Sequence, residues 1–163
     1  MKKPLLLLTF FLLMQNLLFA TSVESNPKPV CSESELSSVI GTRFVNLAMH
    51  SLLSSAVFYD TQTIKVDSKN KIIEVWVLYI LSKEGQQSYL THDGQKDIGY
   101  AKNFLIIDYA QMRIKLKAFH NFTCRGDVKG SWNATDKQNW EMIAPGSTYE
   151  LITQTIMQNK QLK

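Results

Sequence analysis

Residues 71–82 read KIIEVWVLYILS, and no other stretch narrows the choice of fold so far. Taken with period two, Ile73, Val75, Val77, Tyr79 and Leu81 fall on one side. Ile72, Glu74, Trp76, Leu78 and Ile80 fall on the other. Apolar residues dominate both sides, so a strand here must be covered on both faces over at least part of its length. A membrane span is the competing explanation, but the run is shorter than the roughly 18–20 apolar residues a spanning helix needs. No accompanying set of barrel strands is apparent either. The segment is thus expected to be the centre of a sheet. Its second face is left for the N-terminal segment or a second copy to cover; otherwise Trp76, Leu78 and Ile80 would form an exposed interaction patch.

The neighbouring segments share this β texture. RFVNLAM alternates from Arg43, AVFYD is a compact strand, and GYAKNFLIIDY is followed closely by QMRIKLKAFHNFTC. In the last of these, Met112, Ile114, Leu116, Ala118, His120 and Phe122 share one face by period two, with Arg113, Lys115 and Lys117 opposite. Such alternation marks a half-buried antiparallel strand. RGDVKGSWNATDK is a run of turn signals with room for a short strand within it, and the texture changes after Pro145 and Gly146. Ser147 and Glu150 have capping-box spacing, and Tyr149, Ile152 and Ile156 place an apolar stripe on the helix that follows. An amphipathic helix needs a surface, and the sheet supplies one. The expected fold is α+β: a curved antiparallel sheet of five to six strands, with the C-terminal helix packed on one face.

At the other end, MKKPLLLLTFFLLMQNLLFA has the anatomy of a secretory signal: Lys2 and Lys3, an apolar run from Leu5 to Leu13, and Ala20 for cleavage. The alternative is a retained anchor, but Gln15 and Asn16 interrupt the run before it reaches spanning length. Residues 1–20 are therefore read as the signal, 21–42 as a polar leader with a short helix over CSESELSSVIG, and 43–163 as the folded domain. Within the leader, Ser32 and Glu35 again have capping-box spacing, and Gly41 can close the helix. With 18 Lys+Arg against 14 Asp+Glu the chain carries +4; without Lys2 and Lys3, 16 against 14 leaves +2. So weak a balance does not argue for a nucleic-acid partner. Export would place Cys31 and Cys124 in an oxidising compartment, where they have one intramolecular pairing. Closing so long a loop stabilises by about 4 kcal/mol on the chain-entropy account. Lipid attachment at Cys31 is rejected, because Lys28 and Pro29 stand where small residues after the apolar run would be needed.

Catalytic constellations do not emerge. His50, His92 and His120 join no carboxylate cluster, and the four-residue spacing of His120 and Cys124 is no metal signature in a strand. No nucleophile elbow, phosphate-cradling loop or paired acids stand out, so no catalytic, metal or cofactor site is expected and the chain reads as a non-enzyme. Two features remain as candidate contacts. Arg125-Gly126-Asp127 is the tripeptide integrins recognise on exposed loops, and equally an ordinary hairpin turn. Arg113, Lys115 and Lys117 form a basic stripe suited to an acidic partner, or else a solvated face that discourages strand pairing.

VFYDTQTI, VWVLYIL, the strand pair around Ile107 to Leu116 and the closing WEMIAPGSTYELI resemble the surface-adhesin protein E family of Gram-negative bacteria. The likeness runs from about Arg43 to Met157. It is most specific at Tyr59-Asp60, at Trp76, and at Trp140, Ile143, Pro145 and Ser147. The resemblance implies an antiparallel sheet with a helix laid on it. It also implies a location in the periplasm or on the outer cell surface, and adhesin-like binding of a host matrix protein. A homodimer is within its scope, and no integral membrane span would remain after signal cleavage. The second reading is a periplasmic accessory protein that binds an envelope component or a small ligand. In a bacterium the N-glycosylation patterns at Asn121 and Asn133 would be chance matches. One departure stands out: the family commonly staples helix to sheet with two cysteines, and this chain has Tyr109 and Met157 at the aligned positions. The helix is expected to hold by packing alone.

Overall fold

The computed structural model describes residues 29–47, 51, 53–135 and 139–162. The expected signal at 1–20, the leader as far as residue 28, and His50 lie outside them. The elements in order are α1 (Glu33–Ile40), β1 (Phe44–Asn46), β2 (Ser54–Asp60), β3 (Lys65–Asp67), β4 (Ile72–Leu81) and α2 (Lys83–Asp93). There follow β5 (Tyr100–Asp108), β6 (Arg113–Phe122), β7 (Val128–Asn133), β8 (Glu141–Met142) and α3 (Thr148–Asn159). All eight strands join one open antiparallel sheet in the order β1-β2-β4-β5-β6-β7, with β3 also on β4 and β8 also on β6. The fold is α+β, with more strands than expected. The additional ones are short: β3 has three residues and β8 has two, too few for alternation to register in sequence.

β4, β5 and β6 form the long centre of the sheet. Ile73, Val75 and Val77 are fully buried on the inner face with Leu105, Ile107, Ile114 and Leu116. Tyr149, Ile152 and Ile156 of α3 close over them, so the stripe read from the sequence is the one that packs. The Ser147 side chain accepts from the Glu150 amide (3.2 Å), while the Glu150 carboxylate accepts from the Gly146 amide (2.6 Å). Asn159 at the far end of α3 donates to the Tyr59 hydroxyl at 3.3 Å. Tyr109 and Met157 both pack in this core, so the helix rests on apolar contact at these positions.

The opposite face is covered in part. α1, begun by a complete Ser32–Glu35 capping box, lays Leu36, Val39 and Ile40 against Phe44, Phe58, Leu78, Ile80 and Tyr100. This answers the question raised by β4: the N-terminal segment covers Leu78 and Ile80 but does not extend to Trp76. Cys31 and Cys124 form a disulfide with Cα atoms 5.3 Å apart across a sequence separation of 93, tying α1 to the β6–β7 turn.

Two features depart from the sequence reading. Helix α2 lies outside the elements expected from the sequence, because its residues form no apolar stripe; its signals are punctuation. Ser82 caps it by accepting from the Gly85 amide, and Gly94 closes it at φ +65°, a left-handed conformation suited to glycine. The second departure lies in β6. Leu105 pairs with Leu116 but Phe104 pairs with Ala118, so Lys117 is an extra residue and the alternation reverses across it. Ile114 and Leu116 face the inner core, whereas His120 and Phe122 face outward, and Phe119 joins Trp132 against the inner core. The single face expected for Met112 through Phe122 is therefore two.

Truncating Ile152 to Ala should cost about 2–5 kcal/mol, because a fully buried side chain leaves a cavity under α3. Denaturant titration with an unchanged slope would check it. Gly99→Ala should block the disulfide, since its Cβ would lie 2.4 and 2.6 Å from the Cys31 and Cys124 sulfurs. Non-reducing mass analysis of that variant is expected to find two free thiols.

Candidate interaction face

The outer sheet face beyond α1 carries a row of half-buried aromatic rings. Trp76 on β4 stacks on Phe104 of β5 (centroids 5.1 Å) and on His120 of β6 (5.4 Å). All three are half-buried, so their rims remain open to solvent. The bulge at Lys117 is what delivers His120 here; unbroken alternation would have turned it towards α3. Aromatic side chains with an apolar body and an exposed edge suit protein contacts.

Cations border this stack. The Lys102 ammonium lies over the rings of Phe44, Tyr100 and Phe122 at 5.3, 5.8 and 5.4 Å. Burial pushes Lys102 below the usual lysine pKa, and the nearby Arg43 adds to the effect, against a smaller opposing pull from Asp60. At the other end, Arg113 and Lys115 stand over the Trp140 ring at 4.7 and 4.6 Å. Arg113 also binds Asp108 at 2.8 Å. The basic stripe is thus not one feature: two of its members are spent on Trp140, and Lys117 sits at the bulge.

Asp60 shapes the edge of the face. Its carboxylate, fully buried, accepts from Arg43, the Gln62 amide and the Thr63 hydroxyl, holding the corner between β2 and β3. Burial opposes ionisation, but these hydrogen bonds outweigh it and hold the carboxyl below the ordinary aspartate range. Sequence reasoning placed Tyr59-Asp60 among the family-like residues without seeing this role, for which Asp60 itself, a residue that favours Asx turns, was the available signal.

The RGD tripeptide lies at the opposite end of β6 from Arg113, roughly 30 Å along a ten-residue strand. All three residues are exposed. The Thr123 hydroxyl accepts from the Arg125 and Asp127 amides and donates to the Asp127 carboxylate at 3.2 Å, with Gly126 at φ +94°. The turn is therefore organised internally, beside the disulfide. Of the two glycosylation patterns, Asn121 is buried. Among the described residues no three His, Cys, Asp or Glu side chains gather as metal ligands, and no helix is long and apolar enough to cross a membrane.

No protein-family model, curated protein or solved structure matches this chain. The reading of the face rests on its own geometry.

Asp60→Asn should destabilise by about 1.5–3 kcal/mol, the range for hydrogen bonds to a charged group. Because the folded pKa is depressed, the wild-type contribution is complete above the unfolded aspartate value near 4 and fades as pH falls through the lower folded value. Denaturant titrations from pH 7 to 2.5 should show the gap between the two proteins closing at the acid end.

Proposed function

We propose that this is an exported, non-catalytic binding module of the Gram-negative cell envelope that engages a protein partner in the manner of a surface adhesin. The observation that carries the reading is the Trp76–Phe104–His120 stack, left open on a rigid sheet between α1 and Trp140. The family-like residues from Arg43 to Met157 and the disulfide support it, the latter because paired cysteines belong to oxidising compartments. A host matrix protein is the favoured partner, and an envelope component or a second copy would use the same face.

One observation favours the other reading, a periplasmic accessory protein with a small ligand. On the helix-covered side the Tyr79 and Tyr149 hydroxyls, both amide atoms of Asn103 and Oδ1 of Asn121 are buried without a hydrogen-bond partner among the described residues. Buried polar groups are ordinarily satisfied, so such a set suits a polar guest.

Labelling intact cells with a membrane-impermeant amine reagent should modify the protein; complete protection would remove the adhesin reading. Trp76→Ala should weaken binding to immobilised matrix glycoproteins at least about tenfold, as loss of a central aromatic anchor does, with the melting transition retained. Unchanged binding would move the contact away from this face.

A further inference from the structure

Helix α1 covers half of the outer face on slender terms. It has eight residues, none of them buried, and meets the sheet through the half-buried Leu36, Val39 and Ile40. A helix this short is marginal without tertiary support. Its two ends are held differently. Ahead of it, Pro29 bridges Ser82, the Val30 amide donates to the Leu81 carbonyl at 3.1 Å, and buried Cys31 is bonded to Cys124. Behind it stands Gly41 at φ +50°, ψ −150°, a conformation essentially reserved for glycine, with open space where a Cβ would point. Beyond Gly41 the chain is fixed again by the pairing of β1 with β2. The segment therefore has a covalent latch at one end and a glycine hinge at the other.

We propose that α1 is a disulfide-latched strap: reduction of Cys31–Cys124 leaves its start held only by the backbone contacts of Pro29 and Val30 with Ser82 and Leu81, and their release lets it swing about Gly41 and uncovers Phe58, Leu78, Ile80 and Tyr100. These residues adjoin the Trp76 stack, so opening would turn two apolar areas into one larger surface. The inference does not depend on what the outer face binds. The reductant is an external dithiol. Its thiolate attacks the sulfur of Cys124, the half-buried partner beside the exposed turn, and Cys31 leaves as a thiolate. The second thiol of the reductant then displaces Cys124. One disulfide is broken and one is formed on the reductant, and the two protons the dithiol gives up end on Cys31 and Cys124.

Amide hydrogen exchange on the full chain tests this, comparing the oxidised protein with protein reduced by dithiothreitol and capped with iodoacetamide. Exchange over residues 33–40 is expected to rise by on the order of tenfold or more, while β4, β5 and β6 stay within about twofold. Fluorescence of the apolar dye bis-ANS should rise in parallel. The Cys31→Ser/Cys124→Ser variant should match the reduced protein; should it not fold, the capped wild type, prepared from folded protein, decides alone. Unchanged protection of 33–40 after reduction would overturn the proposal. So would loss of protection in β4 to β6 together with α1, which would make the bridge a global staple rather than a latch.

Discussion

The arrangement of this molecule follows from β4 being apolar on both faces but unequally so. Its inner side offers an unbroken row, Ile73, Val75, Val77 and Tyr79, and α3 closes over it. Its outer side runs from Glu74 through Trp76 to Leu78 and Ile80, and only the last two are fully buried. Sheet apolar surface must meet another layer or remain a contact surface. One helix satisfies the inner face; a short one satisfies half of the outer face; the aromatic remainder stays open.

Three local devices decide what that open area contains. The extra residue at Lys117 reverses β6, so that His120 and Phe122 complete the outer side of the sheet. Asp60, desolvated but amply hydrogen-bonded, fixes the corner that lets β2 and β3 share one edge of β4. The Cys31–Cys124 bridge pins the covering helix at the β6–β7 turn, with Gly99 packed against both sulfurs. Each acts through backbone geometry, and together they set the width of the exposed stack.

Much of the architecture was legible because it rested on periodicity and caps. The alternation of 72–81, the complete capping box at Ser32, the N-cap at Ser147 and the 149/152/156 stripe all correspond to elements of the structure. What was missed had no periodic signal. Helix α2 is held by Ser82, Gly94 and the burial of Tyr89 with Leu81 and Ile98, which one aromatic in a polar stretch does not announce. The β6 bulge was invisible because the pattern around it looks regular on either side; only its partner strand reveals the extra residue. The structure sets the RGD residues on an exposed turn, while the reading of a continuous basic stripe depended on an alternation the bulge breaks. The Trp76 stack needed three strands in register before it existed at all.

The central claim is that α3 and α1 lie on opposite faces of one sheet and leave Trp76 uncovered. Solution NMR distance contacts test it most directly. Contacts are expected from Tyr149, Ile152 and Ile156 to Val75 and Val77, and from Leu36 and Val39 to Leu78 and Ile80, with none from α3 to the Trp76 ring. Contacts between α3 and Trp76 or Phe104 would contradict the account.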